Sequence, residues 1–272
     1  MRNTRNARTR SRLITAGLLL LATSRLIGCA SDTATKQNLN SGYGALESKQ
    51  YDEALSRADE HLRQHPTGAG SAEALYLRGR ALEQKTAASQ QDARANLQSA
   101  RESYQQALAH RPPAKLEPYI HTSLGNCSYF LDDYSDAINE WTTAYDKLDD
   151  PSLRAWVLYR VGVSRQRLGQ FDLADQILAM VQQQYPNTVP AQRAREHQGA
   201  RGFTVQLATF ANPASADGAA NSLRREGVLT TKQYDPAQKA TVVRAGPLPS
   251  YQQALSVKQR YAGQFPDALI LP

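Results

Sequence analysis

Apolar and polar positions along this chain follow two different periods, and the change falls at residue 203. Over residues 35 to 188 apolar positions recur three and four apart, the spacing of amphipathic helices. Within that stretch a longer repeat is visible: a glycine, an alanine 12 residues on, and a proline 12 beyond that. Gly42, Ala54 and Pro66 obey it, as do Gly162, Ala174 and Pro186. Gly125 and Ala137 obey it with Pro151 two places late, and Gly79 joins Ala100, Ala107 and Pro112 once an insertion around Lys85 to Asn96 is allowed. The run QKTAASQQDARANLQ there predicts a lengthened helix. A glycine on one helix lets a second helix approach, a small alanine on the second faces it, and a proline ends the pair because it lacks an N–H and clashes with the preceding turn. Tyr104, Trp141 and Leu178 occupy one equivalent position in these units. The segments LDDYSDA (Leu131 to Ala137) and LGQFDLA (Leu168 to Ala174) read as the turns between paired helices, with Ser135 and Asp172 as capping residues after an aromatic.

Residues 189–202 are polar and basic; Ala191 to Gln198 predicts a terminal capping helix, closed by glycines at 199 and 202. From Phe203 the period falls to two. FTVQLATF predicts a strand over 203–210, with Val205 and Leu207 on one side and Thr204, Gln206 and Ala208 on the other. Asn212-Pro213 starts a helix that Gly227 stops. Strands follow over Val228 to Tyr234 and Ala240 to Ala245, the latter ended by Gly246-Pro247. A Ser250/Gln253 capping box opens a helix to Ala262, and a last strand covers Ala268 to Leu271. The order βαββαβ predicts a four-stranded antiparallel sheet with both helices on one face and the other face open. The fold class is therefore α+β: an all-α helical array, then a small ferredoxin-like domain.

Charge and the N-terminus change the picture of where this chain works. Six of the 32 basic residues lie in the first 28, which hold no acidic residue, leaving 26 against 25 acidic ones. The formal charge of +7 is thus not the footprint of a nucleic-acid partner. Arginines at 2, 5, 8, 10 and 12 precede an apolar run, LITAGLLLLA, too short to span a membrane, which is the layout of a secretory signal. Two cysteines are present, Cys29 and Cys127. Cys127 lies within a helical apolar pattern and reads as a buried small hydrophobe. His61 and His65 stand four apart with Pro66 next, and read as surface residues at a helix end. The chain carries no zinc spacing, no paired catalytic carboxylates, no nucleophile–base motif and no phosphate loop, so neither an enzyme nor a bound metal or cofactor is expected.

Three resemblances follow from these residues. Leu26 to Cys29 (LIGC) resembles the lipobox of bacterial lipoproteins, which implies a signal over 1–28, a lipid on Cys29 and a tether over 29–34. Ala30 after that cysteine favours the outer over the inner membrane, facing the periplasm. The Gly–Ala–Pro units over 35–188 resemble the tetratricopeptide repeat in four copies; their glycines are 37, 46 and 37 residues apart. Such arrays imply a groove for a protein or peptide partner. Tyr76, Tyr119, Tyr129, Tyr145, Trp156 and Tyr159 supply aromatics for that groove or for the core.

VQLATF and VVRAGPLPSYQQA resemble the two halves of the SPOR domain over 203–272. That likeness implies binding of peptidoglycan, with preference for glycan strands stripped of stem peptides at division sites. It carries a glycan-contact role onto Gln206, which matches the family glutamine. Thr209 keeps the hydroxyl of the family serine, and Arg244 matches an outward position. Ala208 replaces a glycine and Val242 an arginine. An amide and a hydroxyl suit sugar hydroxyls and N-acetyl groups, an arginine suits the lactyl carboxylate of muramic acid, and Tyr234, if it faces outward, offers a ring for stacking. The expected function is a non-catalytic, lipid-anchored envelope protein that holds septal peptidoglycan and recruits a partner. The alternative is an outer-membrane protein-assembly scaffold acting through its repeats.

Overall fold

The computed structural model describes residues 33–272. The leader, the lipobox and Cys29 lie outside the described residues. One compact unit ends at Arg201 and a second begins at Gly202.

The first unit is a run of paired helices. They are α1 (Thr33–Glu47) with α2 (Tyr51–Gln64), α3 (Ala69–Gln84) with α4 (Gln90–Ala109), α5 (Glu117–Phe130) with α6 (Tyr134–Tyr145), and α7 (Pro151–Arg167) with α8 (Phe171–Gln184). A shorter α9 (Val189–His197) closes the series. α4 has 20 residues, so the inserted segment does lengthen a helix, after a connection capped by Ser89 Oγ accepting from the Asp92 N–H.

The repeat spacing has a sharper cause than close helix approach alone. A methyl group built on Gly79 would lie 2.4 Å from the Tyr104 ring, one on Gly125 2.4 Å from the Trp141 ring, and one on Gly162 2.8 Å from Leu178. The glycine makes room for the large residue four places after the paired alanine. In the first repeat that place holds Ala58, and a methyl on Gly42 would instead meet Leu77 of α3, in the next repeat, at 2.5 Å. Ala54, Ala100, Ala137 and Ala174 are all fully buried. Tyr76 and Tyr159 belong to the core, while Tyr119, Tyr129, Tyr145 and Trp156 are partly buried against it.

The turns differ from expectation. α6 and α8 begin at the aromatic itself, and their N-cap residues Asp133 and Gln170 make no side-chain cap bond. The main chain does the work instead. Lys49, Asp132 and Gly169 adopt positive φ, and the next N–H bonds back to a carbonyl five residues earlier: Gln50 to Ala45, Asp133 to Ser128, Gln170 to Arg165. This left-handed closure satisfies the orphan carbonyls of the first helix and launches the second. Pro151 does not end α6; it is the first residue of α7, where a missing N–H costs nothing.

His61 is also not at the surface. It continues the stripe of Ala54 and Ala58 on α2 and is fully buried against Gly70, whose small size leaves room for the imidazole. Cys127 is fully buried as expected, and burial pushes its thiol well above the usual range. Native protein should therefore leave Cys127 unmodified by iodoacetamide, with alkylation appearing by peptide mapping only as the repeats unfold.

α9 is bound in by the buried Gln166: its Nε2 donates to the His197 carbonyl at 2.7 Å, and its Oε1 lies 2.9 Å from His197 Nδ1. Beyond α9, partial burial pushes the Asp175 carboxyl up. The Gly199 N–H and Arg201 outweigh that and hold it below its ordinary value.

The second unit runs β1 (Phe203–Phe210), α10 (Pro213–Arg225), β2 (Thr230–Asp235), β3 (Ala240–Leu248), α11 (Tyr251–Arg260) and β4 (Leu269–Leu271). The strands form one antiparallel sheet in the order β2-β3-β1-β4, the predicted layout. Asn212 and Ser250 cap the helices through their side chains. Phe203, Val205, Leu207, Val243 and Ala245 are buried on the helix side, with Ala216, Ala220, Leu223 and Ala254 from the helices. β3 does not stop at Gly246-Pro247. Gly246 has φ +129°, donates its N–H to the Leu229 carbonyl, and its α-carbon lies so close to the Phe203 carbonyl that a side chain would stand 3.0 Å from it. Glycine thus lets the strand bend and continue to Leu248, which pairs with Phe203.

Candidate functional site

The open face of this sheet is set by register. Gln206 lies opposite Arg244, and Thr209 lies opposite Val242. In a regular strand Gln206 and Thr209, three apart, would point to opposite faces. β1 carries an extra residue between Gln206 and Ala208, a bulge that resets the alternation. Because Arg244 and Val242 are two apart on β3, their partners Gln206 and Thr209 share one face. Three of the four proposed glycan-contact residues are therefore brought together.

On β2, Thr231 pairs with Arg244 and Gln233 with Val242, which places both on this same face. The Arg244 guanidinium reaches Gln233, donating from Nη1 to Oε1. Arg244 Nε is buried and lacks a hydrogen-bond partner among the described residues. Thr204 and Gln206 lie opposite Leu271 and Leu269 of β4. Val242 is only 5% exposed, so the centre of the face has an apolar floor. The result is a shallow platform with an amide, hydroxyls and a guanidinium around a valine. Such a surface offers donors and acceptors to a polyhydroxylated ligand and a positive charge to a carboxylate.

Tyr234 is not part of it. It pairs with Thr241 and alternates with Gln233, so it falls on the helix side, where it is 59% exposed near the end of the edge strand. Its neighbour in alternation, Lys232, is on that side too and pairs with Asp217 of α10. Gln233 takes the place on the open face that the sequence reading offered to Tyr234. The signal that would have found it is parity with Arg244, which becomes readable only once the β2–β3 register is known.

Residues 199–272 match the SPOR domain family, and residues 156–188 match a tetratricopeptide repeat family. The chain carries a tetratricopeptide repeat and a SPOR domain. SPOR domains bind peptidoglycan and tetratricopeptide repeats bind proteins, so both recognised parts belong to binding classes, and the SPOR domain associates the chain with the cell envelope. The chain is similar in structure to a tetratricopeptide repeat protein from Parabacteroides merdae (16% identity, 60% of this chain and 58% of that one, TM-score 0.47). It is also similar to MamA (16% identity, 88% and 98%, TM-score 0.48) and to PilF of Pseudomonas aeruginosa (13% identity, 86% and 92%, TM-score 0.45). The chain thus spans a little over half the length of the Parabacteroides protein. No curated protein matches the sequence. Among the described residues no helix is long and apolar enough to cross a membrane, and no group of metal-ligating side chains is assembled.

Proposed function

We propose that this chain is a non-catalytic envelope lipoprotein that holds denuded glycan strands on the open face of its SPOR domain and recruits a protein through its repeats. In this reading residues 1–28 are the export signal, Cys29 carries the lipid in the outer membrane, 29–34 is the tether, 35–188 are the repeats, 189–202 cap and link them, and 203–272 bind the wall. The supporting observation is the bulge in β1, which gathers Gln206, Thr209 and Arg244 on one face. Gln206 and Thr209 bond sugar hydroxyls and N-acetyl groups. Arg244 pairs with the lactyl carboxylate that becomes free once a stem peptide is removed. Val242 stands where the family has an arginine, which leaves Arg244 as the charged contact.

The test is sedimentation of the whole mature chain with purified peptidoglycan sacculi, before and after amidase digestion. Binding should rise after digestion and fall as salt is raised, because the contact that digestion creates is ionic. Equal binding before and after would remove the preference for denuded strands. Absence of binding in both would leave the repeats as the working part, as a protein-assembly scaffold requires.

A further inference from the structure

The first helices of the second, third and fourth repeats share a row of polar groups. Asn126 on α5 donates from Nδ2 to Glu83 Oε1 on α3 at 3.4 Å, and Arg160 on α7 donates from Nη1 to Asn126 Oδ1. At the α3 end the charges are matched. Glu83 Oε2 accepts from the Tyr104 hydroxyl at 2.7 Å and lies 3.8 Å from the Arg80 guanidinium.

At the α7 end they are not. Arg160 forms no ion pair among the described residues; its guanidinium lies 5.8 Å from the Phe130 ring and 5.9 Å from the Trp141 ring. Burial pushes its pKa down by more than Tyr129, Glu83 and Tyr159 push it up, and Arg193 of α9 adds to the lowering. Arg193 stands 5.3 Å over Trp156 and is likewise in no ion pair among the described residues. Arg167 lies 4.4 Å over Tyr129 and donates to the Tyr134 hydroxyl at 3.0 Å. Among the described residues the carboxylates set near Arg160 and Arg193 are Glu83, already engaged, and Glu196. A desolvated cation whose hydrogen bond goes to an amide and whose nearest carboxylate is engaged elsewhere is a cost to the fold, which a carboxylate ligand would offset. Beside it Phe130 is 51% exposed, an apolar contact next to the charge.

We propose that this end of the repeat array takes an acidic segment of a partner polypeptide, with a carboxylate on Arg160, a second charge contact from Arg193, and an apolar side chain against Phe130. The proposal rests on the reading that the repeats bind proteins, and it names the chemistry of the partner. The amide of Asn126 bridges to Arg160 and holds the guanidinium in place. Charge, a fixed planar fork and a ring side by side match an acidic-apolar peptide better than a bare anion.

The test uses the full chain to select from a random displayed peptide library, then measures an enriched synthetic peptide by fluorescence anisotropy. Enriched peptides should be rich in Asp and Glu. Affinity should drop about tenfold or more in Arg160→Gln and about threefold in Arg193→Gln, and both losses should shrink at high salt. The thermal midpoint of Arg160→Gln should be equal to or above that of the parent chain, since an unmatched cation is removed. A lowered midpoint would overturn that account of Arg160; Arg193 is exposed, so Arg193→Gln still reads the charge contact in a folded chain. Enrichment of neutral or basic peptides, an affinity unmoved by Arg160→Gln, or stronger binding of a single-stranded RNA oligomer than of acidic peptide would each overturn the proposal. Enrichment of neutral peptides would leave partner recruitment intact. Enrichment of none would remove recruitment as well, while sacculus binding reports separately on the SPOR domain.

Discussion

Trp141→Ala should destabilise the helical unit by about 3–5 kcal/mol, a large share of the stability of an ordinary domain. The side chain is fully buried, and its Nε1–H donates to the Thr122 carbonyl at 3.1 Å, so truncation leaves a cavity and removes a hydrogen bond between α6 and α5. Because repeats lean only on their neighbours, the loss spreads from the third repeat to the second and fourth. Gly125→Ala should also destabilise. Its methyl would enter the Trp141 ring, costing about 1–3 kcal/mol in overpacking, against which the better helix propensity of alanine returns about 1 kcal/mol. The informative chain is the double variant. Once the indole is gone, the methyl introduced by Gly125→Ala has space and fills part of the cavity. The two changes should then be coupled by about 1–3 kcal/mol, the double variant being more stable than the sum predicts. Urea melts of the parent, both singles and the double measure this directly, and simple additivity would show that Gly125 is not there to admit the tryptophan. Gly44 in α1 is the control: nothing lies within 4 Å of a methyl there, so Gly44→Ala should be neutral or slightly stabilising.

That coupling also explains what was legible in the sequence. A glycine–alanine spacing kept over several copies reflects a packing demand that repeats identically, so the helix pairs and even the lengthened α4 could be read from it. The role of the glycine was half legible, since Tyr104, Trp141 and Leu178 align in sequence but only contact shows that each sits on its repeat's glycine. The turns were not legible, because the closure is made by main-chain bonds at Lys49, Asp132 and Gly169, three different residue types. His61 escaped because a histidine near a proline looks exposed until Gly70 is seen opposite it. In the SPOR domain the alternation of FTVQLATF predicted the strand and its buried side, yet strict alternation separates Gln206 from Thr209. A bulge leaves no mark in a hydrophobic pattern, and neither does the β2–β3 register that swaps Gln233 for Tyr234.

The swap gives the second large effect. Arg244→Ala should weaken binding of the full chain to amidase-treated sacculi by about tenfold or more, the range expected when a charge-assisted hydrogen bond is lost. Gln206→Ala, next to it across the β1–β3 pair, should act in the same direction with a weaker salt dependence, because an amide contributes no charge. Tyr234→Ala should leave binding within about twofold, as expected for a surface residue outside the site, since that ring lies on the helix side of the sheet. Gln233→Leu separates positioning from contact. It frees the Arg244 guanidinium from its side-chain acceptor without removing the charge, so affinity should fall less than in Arg244→Ala while the salt dependence persists. All four positions are solvent-accessible, and thermal midpoints close to the parent's would show that the fold is intact. Equal losses in Tyr234→Ala and Arg244→Ala would move the ligand off the open face. Losses confined to Gln206, Arg244 and Gln233 would place the ligand on the open face, where β1, β2 and β3 bring these three side chains together.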